Sequence, residues 1–406
     1  MPQGRFSRNR SRFSGKSRPF NQNRRFARPP QKRGGFAAKN FSDLSAFINK
    51  AVITEEVEKF IPEHRFEDFA LVPALKANLK TKGYTDPTPI QDRTIPHIMR
   101  GEDVVGIANT GTGKTAAFLV PLINKLAHHP ARVLIMVPTR ELAVQIDDEL
   151  RAFARGMHVK SSVCVGGINI NPQISSLKLS PQFVIGTPGR LKDLLERRAL
   201  KLGDFSVAVL DEADRMLDMG FVHDMRKILA LLPRERQTLF FSATLGAEVE
   251  RLISEFLRTP VRVAVKVRET SATIDQDVVR VPQGTDKLEV LQGLLAKPGF
   301  DKVLVFGRTK HGVDKLAKKL AERGIAAESI HGNKTQNKRQ KALDLFKRDR
   351  VQVLIATDVA ARGLDISDVS HVINYDLPQS REDYIHRIGR TGRAGKRGSA
   401  LTFIDA

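Results

Sequence analysis

The stretch "DVVGIANTGTGKT", residues 103 to 115, decides how the chain folds. Its first half is a short β-branched run, Val104, Val105 and Ile107, of the kind that forms a buried strand. Its second half is a glycine-rich loop, and from about Ala116 the pattern turns helical. A strand that enters a helix through such a loop is built to cradle phosphate. Gly111 and Gly113 let backbone N–H groups turn toward phosphate oxygens, and the helix N-terminus adds partial positive charge. The ending Gly113, Lys114, Thr115 matches the G-K-[ST] of a phosphate-binding loop, with Ala108 where the general pattern has glycine. In this reading Lys114 reaches the β and γ phosphates of a triphosphate, and the Thr115 hydroxyl holds Mg²⁺.

Outward from that loop, short apolar runs alternate with longer helical patterns: "DVVGIA", "RVLIMV", "FVIGT", "VAVLDE" and "TLFFSA". A second series starts near residue 279 with "VVRVP", "KVLVFG", "VQVLIAT", "HVINYD" and "SALTFID". Such alternation predicts parallel sheets covered by helices. The polar stretch "VKVRETSATIDQ" separates the two series. The expected division is a first α/β lobe over residues 63–264, a linker over 265–276 and a second α/β lobe over 277–406. In the second lobe "KVLVFGRTKHGVDKL" repeats the order of strand, loop and helix without a G-K-[ST] ending, so that lobe is not expected to hold a triphosphate unaided.

Composition excludes several classes of protein. The 406 residues exceed one ordinary domain, and 41% hydrophobic content is enough for real cores. A single cysteine, Cys164, rules out an intramolecular disulfide and a Cys-rich zinc site, and fits a reducing compartment. No apolar run approaches the roughly 18 residues of a membrane span. The net charge is +22, and residues 1–40 hold twelve Lys or Arg with no Asp or Glu, leaving +10 for the rest. That tail has Phe6, Phe13, Phe20, Phe26 and Phe36 as its large apolar residues, too few to bury a core, and is expected to be disordered. Its cations suit phosphates and its rings suit stacking on bases. A solubilising tail and an organelle presequence are the alternatives. Residues 41–62 form an expected helical extension, in which Leu44, Phe47, Ile48, Ile53, Val57 and Phe60 share one broad face for packing on the first lobe or on a partner.

Against this basic background, "VAVLDEADRML" (207–217) sets a buried-strand run directly before Asp211, Glu212 and Asp214. A strand lying near the phosphate loop should deliver a carboxylate to the metal, and Asp211 is that candidate. Glu212 would polarise or deprotonate an attacking water. Capping of the next helix is the alternative reading for these acids, and an even one for Asp214.

Together, "ANTGTGKT" (108–115) and "DEAD" (211–214) resemble the DEAD-box ATP-dependent RNA helicases, and the resemblance runs from about residue 64 to 405. In chain order it takes in Phe66, "GYTDPTPIQ" ending at Gln91, "PTRELA" from Pro138, Gly166 and Gly167, and "TPGR" from Thr187. Then come "SAT" from Ser242, "VFGRT" around Arg308, "HGNKTQNKR" from His331, "ATDVAARGLD" from Ala356 and "HRIGRTGR" from His386. The resemblance implies two tandem RecA-like domains that bind ATP and Mg²⁺ between them. It implies that Gln91 reads the adenine edge, Phe66 stacks on the adenine, residues Ala108, Asn109, Thr110, Gly111, Thr112, Gly113, Lys114 and Thr115 hold the phosphates, and Asp365 contacts the ribose. It implies that Thr115 and Asp211 hold the metal, that Arg390 and Arg393 act as arginine fingers, and that His386 and Arg387 link the lobes to Ser242, Thr244 and the bound phosphate.

The implied RNA surface crosses both lobes through Thr139, Arg140, Gly167, Thr187, Arg190, Arg308, Gly332 and Thr357. Small residues, hydroxyls and cations suit phosphates and sugar hydroxyls, so the expected partners are single strands and short RNA duplexes without sequence preference. The expected activity is RNA-stimulated ATP hydrolysis coupled to local duplex opening or remodelling of RNA–protein complexes; an ATP-gated RNA clamp is the alternative. Protein partners are expected through the tail or residues 43–60, and the expected location is a bacterial cytoplasm. The chain departs from the family at Asn109, where glutamine is usual, and at Phe306 and Gly307, and it ends soon after "SALTFID".

Overall fold

In the computed structural model, residues 60–109, 111–265, 274–361, 366, 368–392 and 398–405 are described. The basic stretch 1–40, the predicted helix over 43–60 apart from Phe60, and most of the predicted linker (266–273) lie outside them, as do Thr110, Asp365 and Arg393.

The first sheet has seven parallel strands: β1 (Val104–Ile107), β2 (Val133–Met136), β3 (Ser161–Cys164), β4 (Phe183–Gly186), β5 (Val207–Leu210), β6 (Gln237–Ser242) and β7 (Val261–Ala264). Their spatial order is β3-β4-β2-β5-β6-β1-β7. Residues of β2, β4, β5 and β6 are buried throughout. Side chains alternate between faces, so Ile135, Ile185, Val209 and Phe241 enter one apolar layer while Leu134, Val184, Ala208 and Phe240 enter the other. Helices cover both faces, and that is why these strands read as unbroken apolar runs rather than as alternating ones.

The second sheet comprises β8 (Ile274–Val281), β9 (Val303–Phe306), β10 (Ala327–Ile330), β11 (Val353–Ala356), β12 (His371–Asn374) and β13 (Gly398–Asp405), in the order β10-β11-β9-β12-β13-β8, again all parallel. β8 starts three residues inside the stretch expected to be linker. Two buried groups account for this. Ile274 is fully enclosed, and the Gln276 side chain accepts a hydrogen bond from the Tyr384 hydroxyl at 2.8 Å.

Parallel strands place their C-terminal ends on one edge, where loops can converge on a ligand. In the first sheet the adjacent strands β5, β6 and β1 therefore bring Asp211, Ser242 and Ala108 side by side. Among the described residues no helix is long and apolar enough to cross a membrane.

Cys164 closes β3 with no exposed surface, and burial pushes its thiol up to about 11. At pH 8 on the order of one thiol in a thousand is ionised. Because it is the chain's single cysteine, alkylation is expected to be negligible in the folded protein and rapid in denaturant. Fast labelling of the native chain, followed by mass spectrometry, would contradict this placement.

Candidate active site

The phosphate loop is braced from two sides. The Ala108 N–H donates to the Ser242 carbonyl at 3.0 Å, tying the loop to β6. From the other side, Gln91 accepts from the Thr88 N–H at 2.9 Å and donates to the Gly113 carbonyl at 3.0 Å, while the Thr88 hydroxyl donates to the Thr112 carbonyl at 2.7 Å. Thr88 and Gln91 thus form a reciprocal cap on the helix Pro89–Met99, whose first turn doubles as a strut for the loop. Gly113 is required twice over: its φ is +89°, and a Cβ would lie 2.3 Å from Gln91 Nε2. Lys114 begins the helix Lys114–His128, with its Nζ folded back onto the Ala108 carbonyl at 2.7 Å.

A cleft of about 210 Å³ opens over this loop, lined by Gly111, Gly113, Lys114, Thr115, Asp211 and Glu212, with Tyr84 and Gln145 further along. Phe66, expected against the adenine, does not line it. Phe66 is 3% exposed and packs edge-on against Phe69 and Tyr84, with centroids 5.9 and 5.6 Å away. The ring at the cleft is that of Tyr84; Phe66 supports it from the core.

Asp211 and Glu212 follow β5 directly and are both buried. Desolvation raises Asp211 to about 6 against the pull of Lys114. Glu212 sits at φ +50°, and desolvation pushes its carboxyl up too, but Arg215, Lys114 and Arg390 outweigh that push and leave it below its ordinary value. Arg390 belongs to the second lobe, so the field on Glu212 comes from both. Asp211 and the Thr115 hydroxyl give hard oxygen donors in one cleft, the type Mg²⁺ prefers. Among the described residues no group of three His, Cys, Asp or Glu could hold a metal alone, so a cation there would need phosphate oxygens and water to complete its shell.

Asp214 has more than a capping role. Its Oδ2 accepts from the Ala243 N–H at 3.1 Å and from the Thr244 N–H and hydroxyl, both at 3.0 Å. Ser242 donates its hydroxyl to the Thr244 carbonyl at 2.8 Å. The loop after β6 is therefore held by the acidic loop after β5.

In the second lobe the helix Arg381–Ile388 carries His386 and Arg387, with Arg390 just beyond it. Arg387 is 2% exposed, bonded to Asp358 at 2.5 and 2.8 Å, to Asn374 Oδ1 at 3.1 Å and to the Asp376 carbonyl at 2.6 Å, with its guanidinium 5.1 Å from the Phe306 ring centroid. A guanidinium so paired braces the loops after β11 and β12. His386, Arg387 and Arg390 all line a crevice shared with Arg215 of the first lobe.

Away from the cleft, Thr139 caps the helix Arg140–Phe153 by accepting from the Leu142 N–H at 3.3 Å. Arg140 lies over Gly167, where a Cβ would meet its Nη1 at 1.9 Å. Arg190 donates to the Ile168 carbonyl at 3.1 Å, and its Nη1 is buried with no hydrogen-bond partner among the described residues. Burial and Arg339, with a smaller push from Arg190, outweigh Glu141 and lower the Arg140 pKa, so several cations gather on this face. Thr187 precedes the helix Pro188–Glu196. In the second lobe Arg308 is exposed and its N–H donates to Asp376, Gly332 lies near Lys310, and Thr357 follows β11.

One pair of motifs meets in a way their spacing does not foretell. Glu141, from "PTRELA", accepts from Arg339 at 3.0 Å and from Gln336 Nε2 at 3.1 Å, both in "TQNKR" 195 or more residues away. The charges are 5% and 10% exposed, so this is a buried ion pair across the lobes. Tyr84, Arg215 and this pair escaped the sequence reading, as did the partners of Asp214; each lay inside or beside a recognisable motif, but its contacts became visible only in the fold.

Residues 88–252 match the family model described as DEAD/DEAH box helicase, and residues 286–395 match the helicase conserved C-terminal domain. The DEAD-box ATP-dependent RNA helicase CshA of Bacillus subtilis is 47% identical over 341 residues, covering 84% of this chain and 69% of the relative. The curated relatives extend further, and the chain spans 64–69% of their length. A structure of Saccharomyces cerevisiae Dbp5 bound to RNA and ADP BeF3 aligns at TM-score 0.74 with 30% identity, over 84% of this chain and 89% of that one. A DEAD box protein from Methanococcus jannaschii is 39% identical, covering 85% of this chain and 94% of that one, yet aligns at only 0.50.

Removing Asp214 tests the brace between the loops after β5 and β6. Asp214→Ala is expected to speed amide hydrogen exchange at Ala243 and Thr244 and to cost about 1–3 kcal/mol of local stability. Nucleotide affinity should change little, because the phosphate loop keeps its bonds to Gln91, Thr88 and Ser242. Unchanged exchange at those two amides would show that Asp214 does not hold the segment.

Proposed function

Since the chain belongs to the DEAD-box family of ATP-dependent RNA helicases, we propose that it couples RNA-stimulated ATP hydrolysis to sequence-independent opening of short RNA duplexes or to remodelling of RNA–protein complexes. The observation that carries this reading is the surroundings of Glu212. A buried carboxylate beside the phosphate loop takes part of its field from Lys114 and Arg215 in one lobe and part from Arg390 in the other. A site completed by two lobes works only when they are together, and that makes hydrolysis conditional on whatever joins them. The alignments support the same view. The yeast protein captured with RNA and a nucleotide analogue aligns at a higher TM-score than the more identical archaeal protein, which supports a reading in which the two lobes meet around their ligands.

In this mechanism Gly111, Gly113 and the start of the helix Lys114–His128 receive the phosphates, and Lys114 leaves the Ala108 carbonyl for them. Ala108, Asn109, Thr110 and Thr112 complete the loop. Tyr84 offers its ring to the adenine. Gln91 keeps its brace on Gly113 and still has one donor and one lone pair for the base edge. Thr115 and Asp211 would hold Mg²⁺, which would neutralise phosphate charge. Its binding should also bring the raised Asp211 carboxyl back down. Glu212 orients the attacking water; with its pKa lowered it acts more as a fixed acceptor than as a strong base. Arg390, with Arg393, meets the charge that develops on the transferred phosphate. Asp365 takes the ribose.

RNA lies along Thr139, Arg140, Gly167, Thr187 and Arg190, then Arg308, Gly332 and Thr357. The crowded cations around Arg140 suit its phosphates, and Ser242, Thr244 and His386 relay closure to the catalytic edge. The basic tail adds an electrostatic RNA-binding arm, and the bacterial relatives support a bacterial cytoplasmic location.

The division of roles has a direct test. Glu212→Gln should bind ATP and retain RNA in its presence while hydrolysis falls at least a hundredfold; Lys114→Ala should lose ATP binding and the ATP-dependent retention with it. RNA should stimulate hydrolysis far more than DNA of the same sequence. Equal RNA retention by the two variants, or equal stimulation by single-stranded DNA, would overturn the reading.

A further inference from the structure

Glu212 is held by Arg215, the residue directly after "DEAD". Arg215, one turn on in the helix Ala213–Asp218, donates from Nη1 to Glu212 Oε2, and both side chains are 7% exposed. The spacing explains the contact. Residues three apart share a helix face, and the left-handed Glu212 at the helix start turns its side chain back over that face. A guanidinium carries five donors in a rigid fork. Glu212 Oε2 occupies one of them.

The remainder of Arg215 looks into the second lobe. It walls a crevice whose other sides include Asp358, Asp383, His386, Arg387 and Arg390, all of that lobe, and there Arg387 is already paired with Asp358. The crevice is narrow, about 10 Å³, room for about one water. Charge selects among them. Lys114, Arg215 and Arg390 all act on Glu212, giving three cations around two buried acids, Asp211 and Glu212. A buried cation needs a counter-charge close by. Asp358 commits both carboxylate oxygens to Arg387, at 2.5 and 2.8 Å. Asp383, bonded by the Ser380 hydroxyl at 3.1 Å, brings the other carboxylate to the crevice.

We infer that Arg215 is a positioning residue for hydrolysis: it fixes the Glu212 rotamer so that Oε1 faces the attacking water, and Asp383 of the second lobe steadies its fork when the lobes close. Glu212 is then set by closure through two routes, Arg390 directly and Asp383 through Arg215. The inference rests on Glu212 as the water-orienting group. With the lobes apart, the Arg215 fork loses its outer wall and Glu212 its fixed geometry. RNA-driven closure would therefore set the water as well as deliver the fingers.

The test uses the full chain with RNA and measures kcat, the KM for ATP, and RNA retained with a non-hydrolysable ATP analogue. A misplacement of about 1 Å costs on the order of a hundredfold in rate. Arg215→Gln should therefore lower kcat by about that factor, with the KM for ATP and the retained RNA within about twofold of the parent. Arg215→Lys keeps the charge without the fork and should recover part of the loss. Asp383→Asn should lower RNA-stimulated kcat severalfold, and in the Arg215→Gln background it should lower it no further, since coupled residues are not additive. Parallel loss of retention and kcat in Arg215→Gln, or full additivity of the two changes, would overturn the inference. Should Arg215→Gln melt well below the parent, Asp383→Asn decides alone, with parental kcat counting against it. The two readings fail separately. A Glu212→Gln variant that still hydrolyses ATP removes the premise, whereas an inactive Glu212→Gln beside a fully active Arg215→Gln removes only the role of Arg215.

Discussion

Two carboxylates buried at the end of an apolar strand are costly unless cations surround them, and much of this structure can be read as the means of surrounding Asp211 and Glu212. Lys114 comes from the phosphate loop, Arg215 from the helix that follows the acids, and Arg390 from the other lobe. The supply is uneven. Asp211 is left with its proton affinity raised to about 6, while Glu212 is pulled below its ordinary value. Adjacent acids in the sequence thus enter the site in different states: Asp211 ready to gain a cation, Glu212 already fixed by several.

The means of holding them follows from strand order. With β6 lying between β5 and β1, the loop after β6 touches both the acids and the phosphate loop. Ala108 binds Ser242 on one side, and Asp214 binds Ala243 and Thr244 on the other. A shift at any of the three strand ends is felt at the other two. Gln91 and Thr88 extend the same rigidity to the helix Pro89–Met99. The phosphate loop is thus clamped by one backbone bond to Ser242 and by side-chain bonds from Thr88 and Gln91 to its carbonyls, so less ordering remains to be done on binding.

The buried Glu141–Arg339 pair marks a second kind of constraint. Glu141 directly follows Arg140 in the chain, and Arg339 acts on both: it pairs with the acid and repels the neighbouring guanidinium. Joining the lobes therefore places a second guanidinium beside Arg140, with Glu141 shared between the two.

The sequence by itself determined the central strands, the phosphate loop and the acids that follow β5, because strands buried on both faces must be apolar at every position and a phosphate loop needs glycine at fixed points. Strands at the sheet edges were harder to read. Ser161–Cys164, Val261–Ala264 and Ala327–Ile330 formed no unbroken apolar run, and the start of β8 was taken for linker, since an edge strand is half exposed and its composition is free to be polar. That Lys114, Asp211 and Glu212 share one cleft was legible from their places after two buried strands. Pairing was not legible. Arg387 and Arg390 stand three apart in one motif and line one crevice, yet the first is bonded to Asp358 of its own lobe and the second acts on Glu212 of the other. Phe66 and Tyr84 are both aromatic and touch, but only Tyr84 reaches the cleft. Which of two similar side chains lines the cleft depends on contacts between residues far apart in the chain, and these exist only once the strands are ordered and the two lobes are packed together.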